Sequence, residues 1–310
     1  MPDYKVEESQ MEQIQHPGLD NAFIIRNAAL ESILFNRNLV NLEFTQACEN
    51  ATVAFLRHFA PELRSLFDES IAELMLLSKG LYYWMHNAFA RVFEKNLEIN
   101  FAATRRVDVS GDSARISVPY YNFDAPAPHL LIGDVIASGA TISTALSLYQ
   151  EYYELKSVYV FSLAGSVVGG QALTAYCKAR KIDLTVAYGL AAFVLAPNGF
   201  DLAFLHPDTI TSQDYRNRAE RMFQGKPISA VGWDCGSQAQ SLRKYKMLCW
   251  LEAEYWGLQN SDVFQLTEQP DEPRLVEKEY NAYHEHISHH DLFHVQRMTP
   301  ETIDHTKQGL

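Results

Sequence analysis

The sequence predicts an α/β fold built on a parallel sheet, on three observations. Short apolar runs alternate with segments of helical periodicity between residues 129 and 190. The composition, 47% hydrophobic and 21% charged, is that of an ordinary globular chain and not of a disordered or fibrous one. The 310 residues leave room for about two domains, or for one with sizeable extensions, and no internal repeat divides them.

Taken in order, the opening residues MPDYKVEESQMEQIQ are polar and acidic, without the basic-then-apolar order of a secretory signal. AFIIRNAAL and SILFNRNLVNL read as helical or hairpin packing pieces, so residues 1–45 are expected to be an N-terminal extension. From Thr45 to Phe67, the residues Ala47, Val53, Phe55, Leu56, Phe59, Leu63 and Phe67 recur at roughly three and four, which predicts one amphipathic helix. ELMLLSKGL is a buried strand ending at Ser78-Lys79-Gly80, and LYYWMHNAFARVF a second helix. Then HLLIG (129–133) is a strand, and Ile142, Ala145, Leu146, Tyr149 and Tyr153 mark one face of a helix. SVYVFSLAG, GGQALTAYCKAR and IDLTVAYGL follow as strand, helix and strand. That order requires crossover connections and hence a parallel sheet covered on both faces. Residues 206–229 form a polar insertion with a helix near 215–223, Gln238 to Leu258 is helical, and the last fifty residues are polar and His-rich. The expected organisation is therefore a core at 46–260, with a hood at about 190–240, and a C-terminal segment at 261–310.

The net charge of −12, from 26 basic and 38 acidic residues, comes with no basic run. Nucleic acid and anionic membrane surfaces are therefore not expected partners. Four cysteines, Cys48, Cys177, Cys235 and Cys249, show no C-x-x-C spacing, which argues against a disulfide framework or a zinc knuckle. The longest apolar stretch, Leu184 to Ala196, is too short to span a bilayer as a helix. A soluble protein of a reducing cytoplasm is expected.

The most informative segment is residues 130–141, LLIGDVIASGAT: an apolar strand ending in an acid, a loop of small residues, and a helix. Backbone N–H groups and the positive end of the helix dipole make such a loop a phosphate cradle. Ser138 and Thr141 add hydroxyl donors. Asp134, at the strand end, is placed to accept hydrogen bonds from sugar hydroxyls, so the pair points to a sugar phosphate. Other candidates are weaker. His284, His286, His289, His290 and His294 cluster, but without the His-Glu-x-x-His order, and read as a solvated tail or an oligomer contact. Ser166 lacks the Gly-x-Ser-x-Gly elbow. Tyr82, Tyr83 and Trp84 are expected to pack a helix and not to stack on nucleic acid.

The run IGDVIASGATI (132–142) resembles the phosphoribosyl pyrophosphate signature of the type I phosphoribosyltransferases. Over roughly residues 70–240 the likeness is most marked to the uracil phosphoribosyltransferases. It implies a parallel-sheet type I phosphoribosyltransferase fold with a hood and with N- and C-terminal extensions. Lys79-Gly80, after Ser78, matches the loop that grips pyrophosphate in the family, and Arg105-Arg106 occupies the place of its second basic element. VGWDCGSQ (231–238) resembles the hood stretch Gly-Leu-Gly-Asp-Ala-Gly-Asp, with Asp234 and Gly236 matching directly. There are departures. Gly133 stands where most type I enzymes carry the first of two acids, and Ala140 replaces the second glycine of the cradle. Val231 and Trp233 replace hood glycines, and Ser237 replaces the second hood acid.

The resemblance implies a Mg²⁺-dependent displacement of pyrophosphate from C1 of the ribose by a small base or base-like acceptor. Asp134 would orient the ribose, and Ala137, Ser138, Gly139, Ala140 and Thr141 would hold the 5′-phosphate. Lys79, Gly80, Arg105 and Arg106 would hold pyrophosphate. Val231, Gly232 and Trp233 would face the acceptor, and Asp134 and Asp234 the metal. A homo-oligomer is expected. The alternatives are a phosphoribosyl-pyrophosphate-binding regulator without catalysis, and transfer to an unusual acceptor in a specialised pathway.

Overall fold

The structure, a computed structural model, describes residues 8–77, 79–107, 115–196, 199, 201–231 and 235–257. The chain enters through a hairpin, β1 (Gln10–Gln13) and β2 (Ala22–Arg26), and continues into α1 (Ala28–Phe35). Asn27 caps α1, its side chain accepting the Leu30 N–H at 2.8 Å. Residues 10–26 of the N-terminal segment form one edge of the central sheet, because β2 pairs in parallel with β9 (Asp183–Gly189) through Phe23 and Ala187.

The single helix expected between Thr45 and Phe67 is two, α2 (Asn41–His58) and α3 (Ala60–Ser65), separated at Phe59. Pro61 explains the break, since it has no N–H to donate and its ring clashes with the preceding turn. β3 (Ile71–Leu77) is buried along most of its length, as a strand covered on both faces must be. Residues 79–83 then make a 3-10 turn, and α4 (Met85–Phe93) begins only after Trp84, whose φ of 47° is left-handed. The helix expected from Leu81 onward is thus shorter than its apolar pattern.

β4 (Glu98–Val107) and β5 (Arg115–Asn122) form an antiparallel pair at the other edge, and β6 (His129–Gly133) is buried at every position. α5 (Ala140–Tyr149), β7 (Ser157–Ser162), β8 (Gly165–Ser166), α6 (Val167–Arg180) and β9 complete the alternation. SVYVFSLAG, expected as one strand, divides into β7 in the main sheet and β8 outside it. The sheet has eight strands in the order β1-β2-β9-β7-β6-β3-β4-β5, with every pairing from β2 to β4 parallel. The α/β class with a mostly parallel sheet is as the sequence predicts. One face is covered by α1, α2 and α4 and the other by α5 and α6.

A second, three-stranded sheet joins β8 to β10 (Ala191–Phe193) and β11 (Ile210–Thr211). α7 (Gln213–Phe223), α8 (Ser237–Gln240) and α9 (Leu242–Tyr255) follow it. Arg37 ties these parts to the core: buried, it donates to Glu252 of α9 at 3.2 Å and to the Ser229 carbonyl, while the Tyr245 hydroxyl donates to the Arg37 carbonyl. Burial outweighs the Arg37 charge and, with Asp201 nearby, pushes the Glu252 carboxyl up to about 8. One guanidinium facing two acids is best balanced when one acid holds its proton. Among the described residues, no helix is long and apolar enough to cross a membrane.

Candidate active site

In an open parallel sheet, ligands sit beyond the carboxyl ends of the strands. Parallel pairing of β3 with β6 brings Lys79 and Asp134, each just past the end of its strand, to the same edge. The two interact electrostatically. Burial, which leaves Asp134 only 6% exposed, pushes its carboxyl up to about 6, against the opposing effects of the Lys79 charge and the Val135 N–H. That N–H donates to Asp134 Oδ1 at 2.8 Å, and the Asp134 N–H donates to the Phe161 carbonyl at 3.2 Å.

The loop after Asp134 is fixed from behind. The Ile136 N–H donates to the Ala164 carbonyl and to Ser162 Oγ, both at 3.2 Å, while the Ser166 N–H donates to the Ile136 carbonyl at 2.8 Å. The Ser166 hydroxyl donates to the Ala137 carbonyl and also caps α6 by accepting the Gly169 N–H at 2.9 Å. Ser166 is therefore a fastener of the cradle. Gly139 has a φ of 76°, and a Cβ there would lie 2.7 Å from the Gly169 carbonyl oxygen, so glycine is required twice over. Ser138 is exposed, Ala137, Ala140 and Thr141 are half-buried, and no side chain caps the start of α5 beyond a 3.5 Å contact from the Ala140 N–H to Ser138 Oγ. The first N–H groups of the helix thus remain available to an anion.

Two contacts between residues far apart in sequence shape the rest of the site. Tyr83 lies over Gly133: a Cβ at 133 would fall 2.4 Å from Tyr83 Cγ, so the space a side chain would need there is filled by a ring. The Tyr83 hydroxyl accepts the Leu163 N–H at 2.9 Å. Tyr82 in turn lies against Gly236. No local pattern announces either contact, because each joins residues far apart in sequence.

Gly80 presses on the end of β6, where a Cβ would meet the Gly133 carbonyl oxygen at 3.3 Å. Leu77 pairs with Ala103, so Arg105, exposed on β4, projects beyond the end of β3 on the edge that carries Lys79. Arg106 is the next residue of β4, in register with Ile116. Val231 is buried and Ser237 begins α8, while Ser78, Gly232, Trp233, Asp234 and the histidine cluster at 284–294 lie outside the described residues.

The donor set suits Mg²⁺ that arrives with a phosphate ligand. Asp134 offers a hard oxygen ligand, and among the described residues no group of three or more His, Cys, Asp or Glu side chains could hold a metal unaided. Mg²⁺ is commonly held in this way, by one or two carboxylates together with substrate phosphates.

No family model and no curated protein matches the sequence. Solved structures resemble it weakly. A protein from Aquifex aeolicus aligns with a TM-score of 0.44 and 12% identity, covering 61% of this chain and 95% of that one. Adenine phosphoribosyl transferase from Trypanosoma brucei, in complex with AMP, pyrophosphate and ribose 5-phosphate, aligns at 0.38 and 10%, covering 58% and 87%. A hypoxanthine phosphoribosyltransferase from Staphylococcus aureus aligns at 0.34 and 13%, covering 49% and 75%.

Proposed function

We propose that the protein binds phosphoribosyl pyrophosphate with Mg²⁺ and transfers the phosphoribosyl group to a small base or base-like acceptor, as a type I phosphoribosyltransferase. The observation that carries this is the meeting of Lys79 with the buried Asp134 at the ends of two paired parallel strands, directly before the glycine turn that opens α5. In the reaction an acceptor nitrogen bonds to C1, and the C1–O bond to pyrophosphate breaks with its electron pair leaving on pyrophosphate. The acceptor then loses its proton. Asp134 accepts hydrogen bonds from the ribose hydroxyls, the backbone of 137–141 holds the 5′-phosphate, and Lys79 with Arg105 and Arg106 balances the pyrophosphate charge. Asp134, with Asp234 as a second carboxylate, would hold Mg²⁺, which would supply charge neutralisation of the leaving group. By the resemblance alone, Val231, Gly232 and Trp233 are assigned to the acceptor.

Uracil is one acceptor to be tested among several, since Val231, Trp233 and Ser237 depart from the hood residues of the uracil enzymes. The ring of Tyr83 over Gly133 favours a second reading, a donor-binding regulator, because it leaves Asp134 as the lone acid of the signature. Pyrophosphate release from phosphoribosyl pyrophosphate, measured with a panel of bases, small amines and acids, decides between them. Acceptor-dependent release supports the transferase; donor binding with no release from any acceptor supports the regulator.

A further inference from the structure

Two successive rings of one short turn lie over two glycines that are 103 positions apart in the sequence. The turn at 79–83 begins with Lys79. Its Tyr83 ring excludes a Cβ at Gly133, where the nearest ring atom would be 2.4 Å away, and its Tyr82 ring excludes one at Gly236, where the nearest would be 2.1 Å away. Real Cβ atoms do not approach so closely, so any larger residue at either position would push the turn aside. Gly236 is required a second time by its φ of 95°. Each ring also makes a second contact. Tyr83 accepts the Leu163 N–H at 2.9 Å, and Tyr82 meets the Phe44 ring of α2 edge-on at 6.1 Å between centroids. The turn itself is pressed to the strand end at Gly80.

We propose that Tyr82 and Tyr83 are positioning residues that register the hood side of the site, at Gly236 and α8, against the donor side at 133–141. This rests on the donor-site reading above. The turn that carries Lys79 also carries both contacts, so a pyrophosphate drawing on Lys79 is transmitted through Tyr82 to the hood. A packing-only role predicts no such directionality.

Amide hydrogen exchange on the full chain, read by mass spectrometry over peptides from 130–142 and 235–240, tests this with and without Mg²⁺ and phosphoribosyl pyrophosphate. Without ligand, Tyr82→Ala should speed exchange at 235–240 by about tenfold while leaving 130–142 near its wild-type rate, and Tyr82→Phe should restore the slow rate because the ring remains. With ligand, the wild type should slow in both peptides and Tyr82→Ala only at 130–142. Equal acceleration of both peptides in Tyr82→Ala, unchanged exchange at 235–240, or a Tyr82→Phe variant as fast as Tyr82→Ala would each overturn the proposal. A wild type that fails to bind the donor would instead refute the donor-site reading, and the ligand-free comparison would still judge the tyrosines.

Discussion

Glu73 and Asp134 are both buried carboxyls on neighbouring strands, and they differ in nearly everything else. Glu73 lies within β3, 1% exposed, in register with Leu131 of β6. Its oxygens accept no hydrogen bond among the described residues, and His86 Nδ1 stands 3.6 Å away, close enough for an ion pair but not for a hydrogen bond. Asp134 lies past the end of β6, accepts the Val135 N–H at 2.8 Å and faces Lys79. Burial raises both carboxyls. A raised pKa therefore marks both, and position separates them. A mid-strand acid sealed under α4 meets nothing but its neighbours, whereas one at a strand end, before a loop of exposed N–H groups, can meet a ligand.

The largest effect is expected from placing an acid beside Asp134. Gly133→Asp drives a side chain into the Tyr83 ring and buries a further charge, and should cost about 3 kcal/mol or more in denaturant unfolding. In a Tyr83→Ala background the added cost should shrink markedly. An equal cost in both backgrounds would mean that Tyr83 is not what excludes the acid.

Glu73 sharpens the contrast through pH. Its folded carboxyl is raised by burial, so the native state keeps a proton that the unfolded chain has lost, and stability falls as pH rises above the ordinary value of 4.5 toward the folded one. His86 is raised chiefly by its contact with Glu73, so its contribution is present below its ordinary 6.5 and is likewise lost as pH rises. Glu73→Gln should therefore flatten the decline in stability as pH rises above Glu73's ordinary 4.5 and through the range where His86 loses its proton, with no change in ligand affinity. A pH profile identical to wild type would contradict the assignment.

The smallest effect concerns the cradle. Ala140→Gly should leave the calorimetric affinity for ribose 5-phosphate unchanged or slightly improved, and Ala140→Val should weaken it by about tenfold, some 1.4 kcal/mol. The same affinity in all three proteins would place the phosphate elsewhere.

The strand, acid and loop of this candidate site were legible because they are local in sequence. HLLIG followed by Asp134 and a run of small residues announces strand, acid and cradle within a dozen positions, and Lys79-Gly80 follows its own apolar strand. Their meeting follows from parallel pairing, which the alternation of elements implied. Pro61 was visible as well, yet the apolar spacing around it suggested an unbroken helix, and the proline prevailed. What stayed hidden is non-local. Gly133 looks like a lost acid until Tyr83 is seen above it, and Arg37 reaches Glu252 across 215 positions. The strand at Ala22–Arg26 is short enough to pass for a packing piece, and only its register with β9 makes it part of the sheet.

The most direct test of the central claim is titration calorimetry of phosphoribosyl pyrophosphate into the full-length protein with Mg²⁺, for wild type, Asp134→Asn and Glu73→Gln. Charge-assisted hydrogen bonds are roughly twice as strong as neutral ones, so Asp134→Asn should weaken binding by about tenfold or more with its melting temperature maintained. Glu73→Gln should bind as wild type does. No binding by the wild type, or equal affinity in wild type and Asp134→Asn, would contradict a donor site at the ends of β3 and β6.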